Sequence, residues 1–145
     1  NSFNFKNANN ILNQYYGVGN YEYTLNNIKS INYNISFITG NIIVNPSVLY
    51  IIAKNITKYY DNIPFIYNSN DIIYNGFIYN DNIFTLSGSL IISGNSVNAI
   101  NPGQYDIIIS GYSSINYNII YYNGILTIYP DALLIKANDY IKFYN

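Results

Sequence analysis

The sequence predicts an all-β chain of antiparallel sheet sandwiches repeated in tandem. Apolar and polar residues alternate over short runs bounded by Asn, Gly and Pro, the period of half-buried strands. No window keeps a 3.6-residue apolar period over three turns, and the Asn, Gly and β-branched content opposes long helices. Sliding the chain by 84 residues lays one stretch on another, an internal repeat.

The repeat is read residue by residue. Ile31, Asn32, Tyr33, Asn34 and Ile35 fall on Ile115, Asn116, Tyr117, Asn118 and Ile119. Gly40 falls on Gly124, Pro46 on Pro130, Leu49 on Leu133, Ile51 on Ile135, Ala53 on Ala137, Lys58 on Lys142 and Tyr60 on Tyr144. Upstream, Gly19, Tyr21 and Glu22 fall on Gly103, Tyr105 and Asp106. Residues 1–46 then form the later part of one unit, 47–130 a complete unit and 131–145 the start of the next, so the chain begins in mid-repeat.

In the first unit, 10–14 reads as a loop and 21–25 as a strand. Thr39-Gly40 is expected to turn a hairpin whose inward side chains are Tyr33, Ile35, Phe37, Ile42 and Val44, and Pro46, which has no N–H for a ladder, closes the unit. In the complete unit, strands are expected at 48–54, 57–60 and 65–67, with a turn at 61–64. Asn75-Gly76 marks a structural turn, 80–82 a loop, and 84–92 and 105–110 two further strands.

The strongest local signal is Asn123-Gly124 between two β-branched and aromatic runs, which predicts a type I′ hairpin over 115–130. Pairing Tyr121 with Leu126 and Ile119 with Ile128 puts Tyr117, Ile119, Tyr121, Leu126 and Ile128 on a core face. Tyr122, Ile125 and Tyr129 then face outward.

Composition narrows the function. Asn, Ile and Tyr supply 28, 29 and 19 of the 145 residues, yet hydrophobic content is 50%, well above that of disordered chains. Lys6, Lys29, Lys54, Lys58, Lys136 and Lys142 are the only cations, spread along the chain, and no basic patch for nucleic acid can be assembled from them. Uncharged, Ile-rich strands tend to zip together, so the chain is expected to live in an assembly. No cysteine is present, and the apolar runs are too short and too often broken by Asn to span a membrane.

The regular spacing of short strands suggests an Ig-like sandwich, with a β-grasp-like sheet carrying one short helical turn near 80–84 as the alternative. Pro46 and Pro130 are followed almost at once by the next strand, so the rod should be semi-rigid. The run at 116–130, the start at 132–137 with Lys142 and Tyr144, and the turn from Lys58 to Pro64 resemble the MBG/YDG-type repeats of large bacterial surface proteins and adhesins. So do 76–83 with Asp81, and Pro102, Gly103, Gln104 and Tyr105. The Gly of that pattern after Tyr60 is Asp61 here, a residue that also tolerates the left-handed conformation. The resemblance implies a secreted or cell-surface β-module that builds stalks or fibres, with no catalytic residue and no cofactor.

Candidate sites are few. With no His or Cys, one Glu and six Asp, nothing assembles an acid, a base and a nucleophile. Asn80-Asp81-Asn82 and Asn70-Asp71 offer oxygen ligands without the spacing of a calcium loop, and read as turns. The sequons at Asn34 and Asn55 are what chance supplies in so Asn-rich a chain. Tyr122 and Tyr129, on the outward face, are candidates for stacking on glycans or on a neighbouring subunit. Lys58 and Asp106 are candidates for a covalent isopeptide crosslink, and Tyr105 for a tyrosine corner whose hydroxyl anchors a loop.

The expected function is structural: a repeat module of an extracellular, self-associating filament, sheath or adhesin stalk, with itself as partner. The alternative is a glycan- or mucin-binding module. Strand addition between chains fits an end that carries a partial unit, although 131–145 with 1–46 supply only 61 of the 84 positions of a unit.

Overall fold

A computed structural model describes residues 17–25 and 28–144 of the chain; the loop expected at 10–14 lies outside them. The fold is all-β. Its strands are β1 (Gly19–Tyr23), β2 (Gly40–Val44), β3 (Ser47–Ala53), β4 (Ile56–Tyr59), β5 (Ile72–Asn75), β6 (Ser87–Ser93), β7 (Gly103–Ser113), β8 (Tyr117–Tyr122) and β9 (Gly124–Tyr129). Two single 3₁₀ turns accompany them, Ser69–Asp71 and Ile83–Thr85, with Asn68 and Asn82 as side-chain N-caps. The second is close to the helical turn of the β-grasp alternative.

Residues 47–129, taken from here on as the unit described, hold a three-stranded sheet in the order β5-β3-β8 and a four-stranded sheet in the order β4-β9-β7-β6. The two sheets share one core, filled by Leu49 and Ile51 of β3, Ile107 and Ile109 of β7, and Leu126 and Ile128 of β9. Each of these branched side chains lies on the inward side of an alternating strand and is almost fully removed from water.

The predicted hairpin at Asn123-Gly124 does not form. β8 pairs with β3 and β9 pairs with β4 and β7, so the chain passes from one sheet to the other at Asn123 and does not reverse. Both new pairings are parallel, which corrects the purely antiparallel expectation. Ser47 to Ile52 lie opposite Tyr117 to Tyr122, and Ile56 to Tyr59 opposite Leu126 to Tyr129, so the same 70-residue offset (117 less 47, 126 less 56) holds on both sides of the break.

The faces expected of 117–129 are nonetheless observed, with Tyr117, Leu126 and Ile128 buried, Ile119 and Tyr121 packed on the core, and Tyr122, Ile125 and Tyr129 outward. A strand that crosses to the facing layer must present its other side to the shared core. The alternation therefore shifts by one residue at the crossing, as it does across a two-residue turn.

Neither Asn123 nor Gly124 has positive φ. Gly124 serves close approach instead, because a Cβ there would stand 2.7 Å from the Lys54 carbonyl oxygen and 3.0 Å from that of Ala53. Backbone donors left over at the break are met by asparagine: the Ile125 N–H donates to Asn55 Oδ1 at 2.8 Å and the Ile109 N–H to Asn123 Oδ1 at 3.2 Å.

Other expectations are refined. Residues 65–67 make two backbone bonds, from the Phe65 N–H to the Ala99 carbonyl and from the Asn98 N–H to that of Phe65, and form no strand. Phe84 lies in the second 3₁₀ turn, ahead of β6. The left-handed residue after Tyr60 is Asn62, not Asp61, whose carboxylate instead accepts from the Ile63 N–H. Asn75 ends β5, and Gly76 follows at φ 119° with Val48 O only 2.4 Å from where a Cβ would stand.

Ahead of Pro46, β1 pairs with β2, from Gly19 opposite Val44 to Tyr23 opposite Gly40. Adding 84 to each residue gives the register of β7 on β9, from Gly103 opposite Ile128 to Ile107 opposite Gly124. The tyrosine corner recurs with it: Tyr105 donates to the Asn101 carbonyl and Tyr21 to the Gly17 carbonyl, each at 2.8 Å.

The hairpin expected at Thr39-Gly40 is absent, and 28–39 form no strand. Tyr33 is 76% exposed where its counterpart Tyr117 is 5% exposed. The one ladder neighbour of β8 among the described strands is β3, and no described strand stands beside 33–38 in that role.

Replacing Gly124 by Ala is expected to force the Ala53–Lys54 backbone away and to lower stability by about 1–3 kcal/mol. Urea denaturation should register this as a lower midpoint, whereas Thr39→Ala, at an exposed residue without a strand partner, should leave the midpoint unchanged.

Candidate functional site

The chemistry of the unit is carried by tyrosine hydroxyls placed where ladders stop. Tyr117, on the inward side of β8, donates to Asp81 Oδ2 at 2.6 Å and accepts from the Ile78 N–H at 3.0 Å. Asp81, expected in a turn, is thus the charged anchor that holds the loop after Gly76 over the core. Tyr121 accepts from the Tyr112 N–H at 2.8 Å and lies 3.0 Å from the Tyr112 carbonyl, standing in for an absent strand. Tyr67 lies 2.8 Å from the Asp71 carbonyl and 3.3 Å from that of Lys54, bracing the break between β3 and β4.

Tyr67 and Tyr74 carry no charge at neutral pH. Burial, then the Tyr112 hydroxyl beside it, pushes the Tyr74 phenol well above its ordinary value. Burial also raises Tyr67, partly opposed by its bond to Lys54. Asp61 is held below the usual carboxylate range, first by Lys58 and then by the Ile63 N–H.

The residues singled out in the sequence are not brought together. Lys58 Nζ lies 2.7 Å from Asp61 Oδ1 and 3.0 Å from the Ile63 carbonyl. Asp106 sits on β7, on the other side of β9, level with Ile125, while Lys58 is level with Ile128. Lys58 shares the half-buried side of β4, and Asp106 is exposed on β7. No crosslink geometry exists between them.

Tyr122 and Tyr129 are 52% and 48% exposed, but each leans on a tyrosine of the parallel neighbour, Tyr50 and Tyr59 respectively, with centroids 5.9 Å apart. Tyr122 belongs to the three-stranded sheet and Tyr129 to the four-stranded one, so they do not form a common face. Asn55, of the second sequon, has its side-chain oxygen engaged at the break between β3 and β4.

A cavity of about 240 Å³ opens between 65–67 and 96–98. Its lining is mostly apolar, Tyr67 is its one titratable side chain, and the buried Ser96 hydroxyl beside it has no protein partner. Among the described residues no three His, Cys, Asp or Glu side chains cluster as metal ligands, and no helix is long and apolar enough to cross a membrane.

Two facing sheets tied by one parallel strand pair, braced by uncharged hydroxyl and amide groups, define an all-β module with no assembled catalytic constellation among its described residues. Comparison with known families is specific: residues 49–127, more than half of the chain, match the MBG domain (YGX type), and the chain belongs to that family. The match starts in β3 and ends in β9, so it spans the parallel pair. MBG domains occur in large surface proteins, and the chain is a module of that surface-protein and adhesin type. No curated protein and no solved structure matches it.

The tyrosine braces were missed from sequence. Tyr105 was accessible through Gly103 two residues earlier, but the partners of Tyr117 and Tyr121 lie on other elements. The available signal was an inward-facing Tyr where Phe would fill the space, since a buried hydroxyl needs a partner.

Tyr117→Phe leaves Asp81 and the Ile78 N–H without their buried partner and is expected to cost about 1.5–3 kcal/mol, measured as a lower urea midpoint. A second expectation concerns pH. Because the folded state raises the Tyr74 pKa, the stability this group contributes is fully present below the ordinary tyrosine value near 10 and is lost as pH rises from there through the folded value. Urea midpoints measured from about pH 9 to 11 should fall less steeply for Tyr74→Phe than for the unaltered chain.

Proposed function

We propose that the chain is a structural, non-catalytic repeat module of an extracellular, self-associating filament, sheath or adhesin stalk, in which units follow one another end to end. One observation supports this reading above the others. The chain enters the complete unit at Ser47 and leaves it at Tyr129, and these two residues lie at opposite ends of the parallel pair 47–59 and 117–129. Tension applied through the chain therefore slides the two strands past each other and loads their ladder bonds together. Peeling would load the same bonds one at a time and would need less force.

The links favour the same use. Only Asn45 and Pro46 separate β2 from β3, so little slack is taken up before the sheets carry load. The Val18 N–H lies 3.4 Å from Asn116 Oδ1, a second tie between the first unit and the next.

Glycan recognition at Tyr122 and Tyr129 is a second reading, favoured by the half exposure of both rings. It is weaker because each ring already packs against a tyrosine and the two belong to different sheets. Submillimolar glycan binding that disappears in Tyr122→Ala would favour it.

Force spectroscopy tests the scaffold reading. Pulled between residues 47 and 129, the complete unit is expected to unfold at markedly higher force than when pulled between residues 47 and 117, which peels the pair open from one end; forced unfolding reports the barrier and not the equilibrium. Equal forces in the two geometries would contradict it.

A further inference from the structure

The chain contains no Cys, Met, Trp or His, while tyrosine makes up 19 of its 145 residues. An oxidant that reaches it meets no thiol, thioether, indole or imidazole, and tyrosine is left as the readily oxidised side chain. Which tyrosine rings lie against each other then decides the product.

Two pairs stand on the surface of the parallel ladder. Tyr59 is directly opposite Tyr129 where β4 meets β9. Tyr50 and Tyr122 share one side of the ladder of β3 with β8, one diagonal step apart, since Tyr50 faces Ile120 and Tyr122 faces Ile52. The ring centroids are 5.9 Å apart in each pair, and the planes are tilted by 38° in one and 42° in the other. Tyr59, Tyr122 and Tyr129 are exposed and Tyr50 is half-buried, so both pairs are open to an oxidant in solution.

Tyr74 and Tyr112 provide a contrast. Their centroids lie 6.3 Å apart, but the rings meet edge to face at 66° and both are half-buried. Burial also holds the Tyr74 proton more tightly than usual.

We propose that Tyr50 with Tyr122, and Tyr59 with Tyr129, are oxidative modification sites, each pair closing to a dityrosine under a peroxidase and hydrogen peroxide. Each phenol of a pair gives up one electron and its hydroxyl proton. The two ring radicals couple through a new carbon–carbon bond between positions ortho to the hydroxyls, and the hydrogens on those carbons move to the phenolic oxygens. A pair loses two hydrogen atoms in all, and one hydrogen peroxide is reduced to two waters.

The placement gives the bonds a use. Tyr50 and Tyr122 belong to the three-stranded sheet and Tyr59 and Tyr129 to the four-stranded one, so the parallel pair carries one site on either side of its crossing. Once both are closed, tension entering at Ser47 passes from Tyr50 to Tyr122 through covalent bonds and bypasses residues 51–121. The strands can no longer slide past each other. The chemistry goes beyond the scaffold reading and stands on the ring geometry, while its mechanical use rests on that reading.

The test treats dilute full-length chain with a haem peroxidase and hydrogen peroxide. The monomer band is taken from a denaturing gel, and its crosslinked peptides are mapped by mass spectrometry. The 50–122 and 59–129 links are each expected about tenfold above any link made by Tyr33, Tyr79 or Tyr140, because rings already in contact need no encounter. Those three tyrosines are more exposed than any ring of the two pairs, so exposure alone predicts the opposite order.

Tyr129→Phe should abolish the 59–129 link and leave the 50–122 link at its former yield, and Tyr122→Phe should do the reverse. Each substitution keeps the ring and removes only an outward hydroxyl. Links spread over the exposed tyrosines without preference, a 74–112 link as abundant as the other two, or a Tyr59 that crosslinks equally well without Tyr129 would overturn the proposal. Any of these would leave the scaffold reading standing. Links that form as expected in a unit with equal unfolding forces in the two pulling geometries would uphold the chemistry and count against the scaffold.

Discussion

Two strands running in the same direction hold one register across a break in both of them, and this constraint organises the unit. Because 47–59 and 117–129 cross from one sheet to the other side by side, the two sheets are joined by covalent chain at their centre as well as packed face to face. A crossing interrupts the ladder, and the N–H groups it frees must find other acceptors. Asn55 and Asn123 provide them, and Gly124 lets the two backbones pass at a distance no side chain would allow.

That requirement gives the unusual composition a physical use. Asparagine and tyrosine supply strong neutral hydrogen-bonding groups, which can be buried or half-buried at the edges of ladders without the large desolvation cost of a charge. Asn68 and Asn82 start the two 3₁₀ turns, while Tyr67, Tyr105, Tyr117 and Tyr121 tie loops or strand ends to the core. Isoleucine and leucine fill the space between. With so little charge available, Asp81 and Asp61 are each committed to a single loop, by Tyr117 and by Lys58.

The faces of the strands were legible in the sequence because alternation records which side meets the core, whatever the partner. The partners were not. At Asn123-Gly124 the alternation shifts identically for a reversing turn and for a layer crossing, and a parallel neighbour 70 residues away leaves no local trace. Tyr33, Ile35 and Phe37 make the same point, since 28–39 form no strand although their alternation matches that of β8. The family was legible because several short motifs occur in the right order, and its match spans β3 to β9. The tyrosine corner at Tyr105 was legible because its partner lies four residues away.

The arrangement of 117–129 is tested most directly by nuclear Overhauser contacts between backbone protons. The parallel ladder requires contacts between β3 and β8 around Ile51 and Tyr121, and between β4 and β9 around Thr57 and Thr127. Close Hα–Hα contacts between β8 and β9 themselves, such as Tyr121 with Leu126, would restore the hairpin and contradict the account.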